Sequence, residues 1–420
     1  MHLLTASLTC RRAVNPAGPR KSQGVSVSVG AAAALFLLFF QATLGAQEQP
    51  KPPKPRRLDE GLILRRNAAT GEIRVSRHNA GELATEDRAD GDGASVPGTI
   101  RVRVQMVEVS ANVHSADGAQ VAGLARGDFR IFEDGTEHDV AYFDDSSEPA
   151  RVALLLDTSP SVLREWSTLQ GAARALAAGL APRDEVAVLN FAGATRLLLP
   201  FSSDRAQLAR AIAAAELQQG ERSELGSEIY RSVFLAVETL FREQAGGPPR
   251  RGRKAIVLLT DGQDSGLGLG WVPASALPSR ERPHRLTFED VCRSLTSAGV
   301  EVYVVSTQNR PVAMTEAWLA ENHEKPLVNF VAREKGMPHY TLYLAETVRR
   351  AGGRLYFLRE TGSLAGAWTA LAENLRAQYT LGYYPSSGSA PGWHSLRVGI
   401  RDRPDLRATH RSSYYAPASP

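Results

Sequence analysis

The chain has 420 residues, 43% of them hydrophobic and 22% charged. That balance excludes a wholly disordered chain and points to about two folded units. Two cysteines exclude a disulfide scaffold or a cysteine-built zinc site, and a net charge of +4, from 49 basic and 45 acidic residues, is too small to argue for nucleic-acid binding.

The amino end reads as an export signal. Arg11, Arg12, Arg20 and Lys21 form a basic head, Ser22 to Gln47 carry no charge, and Ala31 to Phe40 are apolar throughout. Small residues close the run at Thr43-Leu44-Gly45-Ala46. This is the order of parts in a secretory signal, with cleavage after Gly45 or Ala46. The uncharged run also reaches bilayer length, so residues 1–46 are a signal peptide or a membrane anchor, with residues 25–46 able to anchor in an inner membrane. Both readings put the body outside the cytoplasm: periplasmic, secreted, or anchored facing outward. Cleavage would remove Cys10 and leave Cys292 without an intramolecular partner.

Residues 47–97 read as a flexible linker, because Pro50, Pro52, Pro53 and Pro55 alternate with Lys51, Lys54, Arg56 and Arg57. Asp87, Asp90 and Asp92 are spaced like calcium-loop ligands, but no acidic residue closes such a loop, and a polar linker explains them.

Residues 98–148 read as a β module. Ile100, Val102, Val104 and Met106 alternate with polar residues, and the phase then slips to Val107, Val109, Ala111 and Val113, as at a bulge. Asp117-Gly118 and Asp134-Gly135 are turn signals around the Phe129 and Ile131 alternation. The β rhythm returns over residues 378–417, in Leu396, Val398 and Ile400. Each piece is too short to close a core, so the two are expected to pack as one small antiparallel β domain interrupted by what lies between.

Residues 149–377 read as α/β. Val152 to Leu156 and Ala255 to Leu259 are solid apolar runs, as expected of strands buried on both faces. Further strands are expected at Glu185–Phe191, Leu197–Phe201, Val300–Val305 and Arg354–Leu358. Leu163, Trp166, Leu169, Ala173, Leu176 and Leu180 keep helical spacing, and more helices are expected from Ile229, over Phe288–Leu295 and over 363–378. Alternating strands and helices predict a Rossmann-like, mostly parallel sheet flanked by helices, with its ligand site at the carboxyl ends of the strands. An insertion at 308–340, carrying Trp318, His323 and His339, is long for a connection.

Two strand ends carry the chemistry. The first buried run enters Asp157-Thr158-Ser159-Pro160-Ser161, and the second enters Thr260-Asp261-Gly262. Carboxylates and hydroxyls at neighbouring strand ends can converge on one hard cation, Mg²⁺ or else Ca²⁺ or Mn²⁺. Gly226-Ser227 supplies a further hydroxyl before a helix. Taken alone, Asp157, Ser159 and Ser161 are equally explained as turn and helix-cap residues.

These motifs resemble the metal-ion-dependent adhesion site of von Willebrand factor type A domains. The resemblance implies metal ligands at Asp157, Ser159, Ser161, Ser227 and Asp261, with Ser227 standing where the family usually has Thr. Asp128-Phe129-Arg130-Ile131-Phe132-Glu133-Asp134-Gly135 and Gln378-Tyr379-Thr380-Leu381-Gly382-Tyr383-Tyr384-Pro385 extend it to the exported, acidobacterial type of related proteins, over roughly residues 98 to 417. Its implied function is adhesion: a divalent cation completed by a Glu or Asp side chain of a protein partner. One alternative is a structural envelope protein with a vestigial metal site. Another is a magnesium-dependent phosphotransferase, disfavoured because Ser159 stands where an acid–base carboxylate would be needed. No catalytic residue is assigned. The basic run Arg250, Arg251, Arg253 and Lys254 has no interleaved aromatics and reads as a solvated loop, not a nucleic-acid site. His284, His323 and His339 lack metal-ligand spacing, and Trp393, Tyr383 and Tyr384 are expected to fill the β core.

Overall fold

In the computed structural model the described residues are 55–67, 72–77, 106–116, 119–145, 149–217, 227–242, 252–265, 277, 279–280, 285–323, 325–328, 339–359, 371–375, 379–385 and 390–417. The export segment, the strand expected at 100–105, Asp87 to Asp92 and His284 lie outside them. No helix among the described residues is long and apolar enough to cross a membrane.

The strands are β1 (Arg56–Arg57), β2 (Leu62–Arg66), β3 (Ile73–Arg77), β4 (Val107–Ser115), β5 (Phe129–Glu133), β6 (Thr136–His138), β7 (Tyr142–Asp144), β8 (Arg151–Asp157) and β9 (Glu185–Phe191). They continue with β10 (Thr195–Ser202), β11 (Lys254–Thr260), β12 (Val300–Ser306), β13 (Leu355–Phe357), β14 (Tyr379–Tyr383), β15 (Gly392–Ile400), β16 (Leu406–His410) and β17 (Ser413–Ala416). The helices are α1 (Trp166–Gly179), α2 (Arg205–Ala213), α3 (Ile229–Ala236), α4 (Phe288–Ala298), α5 (Glu316–Glu321) and α6 (His339–Ala351), and residues 371–375 are also helical.

The central sheet has the order β1-β10-β9-β8-β11-β12-β13. From β9 to β13 its strands are parallel, while β10 and β1 add on antiparallel. The solid apolar runs are explained by cover on both faces. Ala153 and Leu155 of β8 and Ile256 and Leu258 of β11 pack with α3, α4 and α6 through Phe234, Phe288, Leu295 and Tyr343. Leu154, Leu156, Val257 and Leu259 face the other way, onto Leu169 and Leu176 of α1, Ile212 of α2, and Leu371 and Leu375. Local signals set the helix ends. Asp204 accepts from the amides of Ala206 and Gln207 at the start of α2. Thr287 and Asp290 form a capping box on α4, which Gly299 ends with φ +63°.

The segments before and after this unit form a β sandwich. One layer is β16-β4-β14-β7 and the other is β17-β15-β5-β6. Val109, Ala111, Ile131, Leu381, Tyr383, Leu396 and Val398 share its core. The sequence-separated strands pair directly, β14 with β4 and β15 with β5, as their short apolar faces require.

The structure differs from the sequence reading, or adds to it, in four places. Part of the expected linker is ordered: β1 extends the central sheet, β2 and β3 form a hairpin, and Leu58 and Ile73 are buried in the core. Arg66 adds a two-pronged contact to Asp290 at 2.6 and 2.6 Å. Proline and arginine dominated the composition, but an open sheet edge offers backbone partners to any extended segment. Leu163, counted on the helix face, lies before α1 and is 63% exposed. The described part of the 308–340 insertion packs on the domain: Met314 is buried, and the Leu327 amide donates to Glu346 at 2.9 Å. In the sandwich Tyr383 is fully buried, but Tyr384 is 52% exposed and Trp393 packs against the helical side of the central sheet.

Candidate metal site

Leu156 and Leu259 are register partners in the parallel pair β8 and β11. The next residues, Asp157 and Thr260, therefore leave the sheet side by side, on the face covered by α3, because side chains alternate along a strand. The Thr260 hydroxyl donates to Asp157 Oδ2 at 2.6 Å and accepts from the Gly262 amide at 3.0 Å. Ser227, just ahead of α3 on that same face, donates to Asp157 Oδ2 at 3.2 Å. The Ser159 amide donates to Asp157 Oδ1 at 3.0 Å.

The remaining expected residues join this group. Ser159 Oγ and Ser161 Oγ share a hydrogen bond at 2.9 Å, and Ser161 lies near enough to Asp261 to favour its charged form. Asp261 also accepts from the Gln263 amide at 3.0 Å and its side-chain amide at 3.1 Å. Asp157, Ser159, Ser161, Ser227 and Asp261 thus form one connected cluster at the carboxyl end of the sheet. Asp157, Ser159, Ser227 and Asp261 are buried, and Ser161 is exposed at the mouth.

Burial pushes the Asp157 carboxyl up to about 6; the Ser159 and Thr260 hydrogen bonds oppose the rise and the nearby Asp261 charge adds to it. Burial also raises Asp261, against the Gln263 hydrogen bond and the nearby Ser161, with Glu165 adding repulsion. Two carboxylates share a small, poorly solvated space, and their hydrogen-bond partners are hydroxyls, backbone amides and the Gln263 side-chain amide.

The loops are fixed from behind. The Ser265 amide donates to the Ser227 carbonyl at 2.8 Å, and Asp264 accepts from the Tyr230 amide at the start of α3 at 3.1 Å. Gly262 has φ +83°, and a Cβ there would lie 2.7 Å from Leu344 Cδ1. The sequence reading assigned no role to Thr260 or Asp264. The signal for Thr260 was present, since it ends a buried strand beside a residue of interest, but its partner depends on strand register. Ser223 and Glu224, close to Ser227 in sequence, lie outside the described residues.

A second group, to which the sequence analysis assigns no chemical role, lies in the sandwich. His394 Nδ1 is 2.7 Å from Asp134 Oδ2 and 3.4 Å from Glu133 Oε1, and its Nε2 is 2.7 Å from the Ala390 carbonyl. Tyr414 donates to Glu133 at 2.8 Å. Both ring nitrogens face oxygen acceptors, which is the bonding pattern of an imidazolium held by two carboxylates.

Residues 152–263 match the von Willebrand factor type A domain family, a span that holds β8, β11 and all five clustered residues. The chain contains a von Willebrand factor type A domain. Part of the chain is similar to an aerotolerance-related membrane protein from Bacteroides fragilis NCTC 9343, at 19% identity over 54% of this chain and 98% of that one, with a TM-score of 0.35. A von Willebrand factor type A protein from Catenulispora acidiphila is similar at 12% identity over 75% of each chain, with a TM-score of 0.35. Proximal thread matrix protein 1 from the mussel byssus, with a zinc-occupied MIDAS motif, is similar at 13% identity over 55% of this chain and 48% of that one, with a TM-score of 0.34. No curated protein matches the chain. The matched span lies within the central sheet and its helices, and the sandwich is built from the chain before and after that unit.

Proposed function

We propose that the type A domain binds a divalent cation through Asp157, Ser159, Ser161, Ser227 and Asp261, and through that cation an acidic side chain of a protein partner. The observation that carries this reading is the meeting of the five residues around the buried Asp157 carboxylate. The donor set suits a hard ion, Mg²⁺ or else Ca²⁺ or Mn²⁺, because it offers oxygen alone. A bound cation would offset the burial that raises Asp157 and the repulsion between the two aspartates. Three of the five ligands are neutral hydroxyls, so the two carboxylates balance one divalent charge and leave the ion attractive to a further carboxylate. The exposed Ser161 marks the open side. In this reading the domain is an interaction module rather than an enzyme: Asp157 and Asp261 hold the cation, and Ser159 stands where a phosphotransferase would need its acid–base carboxylate. Its place outside the cytoplasm, with residues 1–46 as signal peptide or anchor, rests on the uncharged run Ser22 to Gln47.

A second reading, a structural envelope protein with a vestigial site, draws on the hydrogen bonds that already reach both Asp157 oxygens. Calorimetric titration with Mg²⁺ separates the two. The binding reading expects saturable Mg²⁺ uptake that Asp157→Ala abolishes, and retention of a glutamate-bearing peptide that EDTA releases. No uptake by the wild type, or peptide binding indifferent to EDTA, would defeat it.

A further inference from the structure

Among the described residues one group of three histidine or acidic side chains converges closely enough to hold an ion: Glu133, Asp134 and His394, whose ligand atoms all lie within 4.8 Å of one another. Strand register brings them together. Leu396 of β15 pairs with Glu133 of β5, so His394, two residues before Leu396, leaves the sheet on the same face as Glu133. That face is the inner one, where Leu396, Ile131 and Tyr414, the register partner of His394, belong to the sandwich core. Asp134 and Gly135 form the two-residue turn from β5 to β6, with φ +47° and +83°, as an Asp-Gly turn of type I′ requires. The turn sets Asp134 beside Ser395. Two ligands thus come from the chain before the central sheet and the third from the chain after it, 260 positions beyond Asp134.

Each ligand is already aimed. Asp134 Oδ1 accepts from the Ser395 amide at 2.8 Å and its hydroxyl at 3.1 Å, which turns Oδ2 to His394 Nδ1 at 2.7 Å. The Ala390 carbonyl, 2.7 Å from His394 Nε2, can only accept, so it takes the Nε2 proton and leaves Nδ1 facing Asp134 and, at 3.4 Å, Glu133 Oε1. A carbonyl on the far nitrogen is the arrangement that orients metal-bound histidines. Tyr414 donates to Glu133 at 2.8 Å and fixes that carboxylate in turn. His138 Nε2 borders Glu133 Oε2 at 3.6 Å and adds a second imidazole at the edge of the group. Ligand atoms around a zinc ion at ~2.1 Å stand ~3.4 Å apart, so the spacing at His394 needs little adjustment. A proton on Nδ1 balances one carboxylate, whereas a divalent ion on the neutral ring balances both. Glu133 and His394 are buried and Asp134 is exposed, which gives an ion a way in. We propose that Glu133, Asp134 and His394 bind a divalent ion of the zinc class, and that this ion staples the two sequence-separated halves of the sandwich. An imidazole among carboxylates favours zinc over magnesium, unlike the all-oxygen set around Asp157.

The test titrates the full chain with Zn²⁺ against a chromogenic chelator, in excess Mg²⁺. Wild type is expected to take up zinc, with a melting temperature that rises with zinc concentration and falls back in EDTA, where Nδ1 regains its proton. Asp134→Asn keeps the turn, because asparagine also adopts positive φ, and is expected to weaken zinc binding by more than about a hundredfold. Its cooperative melt in EDTA checks that it folds. His394→Gln should abolish uptake, and with it the visible absorption that Co²⁺ gains on binding the wild type in place of zinc. Asp157→Ala should leave zinc uptake and the zinc-dependent rise in melting temperature intact. No uptake by the wild type, or uptake that Asp134→Asn and His394→Gln leave unchanged, overturns the proposal. Uptake lost in Asp157→Ala and kept in Asp134→Asn assigns the zinc to the type A cluster and overturns it as well.

Discussion

Thr260 and Asp157, 103 positions apart in sequence, share a buried hydrogen bond of 2.6 Å across two adjacent parallel strands. The same hydroxyl accepts from the Gly262 amide, so one side chain ties the first aspartate to the turn that presents the second. Thr260→Val keeps the shape and removes the bond. The variant is expected to lose about 1–2 kcal/mol of stability, the usual result of taking a partner from a buried polar group. It is also expected to weaken Mg²⁺ uptake, because the Asp157 carboxylate loses a group that orients it. Thr260→Ser should retain most of both. Denaturant melts and calorimetric titration of the two variants check this; equal behaviour of Val and Ser at this position would contradict it.

Gly262 follows Asp261 in the same turn and carries a different constraint. Its φ of +83° disfavours any residue with a Cβ, and that Cβ would lie 2.7 Å from Leu344 Cδ1 and 3.4 Å from Tyr340. Gly262→Ala is expected to cost about 2 kcal/mol, from backbone strain and the displacement of Leu344. Adding Leu344→Ala relieves the contact and not the backbone, so the double variant should not recover wild-type stability relative to Leu344→Ala alone. Thermal unfolding of the four proteins measures the difference.

How legible this site was follows from what each residue depends on. Asp157 and Asp261 end runs so apolar that only strands covered on both faces explain them, and sheets of that kind hold ligands at strand ends. Thr260 gains its role from register, the pairing of Leu259 with Leu156, which no local pattern records. Leu163 fits the helical phase of Leu169 and Leu176, but the turn at Pro160–Val162 delays the helix to Trp166 and leaves it outside. The hairpin of residues 62–77 was hidden because Leu64, Ile73 and Val75, three of its apolar residues, find their cover on a surface built from distant parts of the chain.

That hairpin is held by a buried ion pair. The side chains of Arg66 and Asp290 are 7% and 3% exposed, and Arg66 also donates to the Arg285 carbonyl at 3.0 Å. Asp290 accepts from the Thr287 amide and hydroxyl as well, so it also caps α4. Arg66→Ala leaves a buried carboxylate without its cation and is expected to destabilise the domain by about 3 kcal/mol. Asp290→Asn in the same chain removes the stranded charge and should recover part of that loss. A double-mutant cycle measured by urea unfolding gives the coupling; strictly additive effects would show that the two side chains act independently.

The histidines give the stability a pH dependence with two signs. Burial pushes His410 down to about 3 and His323 down to about 4, and their rings meet with centroids 5.0 Å apart. An unfolded histidine titrates near 6.5. Below that value the unfolded chain takes up protons that the folded chain refuses, so stability is full above pH ~6.5 and falls as pH drops towards 4 and 3, by at most ~1.4 kcal/mol per unit for each group. His394 behaves in the opposite way. Burial lowers it, but the Asp134 hydrogen bond, the Ala390 carbonyl and the Asp134 and Glu133 charges outweigh burial and raise it. Its contribution is present below the unfolded value of ~6.5 and is lost as pH rises through the higher folded value. His410→Gln should therefore flatten the fall in melting temperature between pH 6.5 and 4. His394→Gln should lower the melting temperature at pH 5 and matter less at pH 9. Melting curves for the wild type and both variants across that range decide the matter: a His410→Gln profile parallel to the wild type, or a His394→Gln deficit that grows with pH, would contradict these assignments.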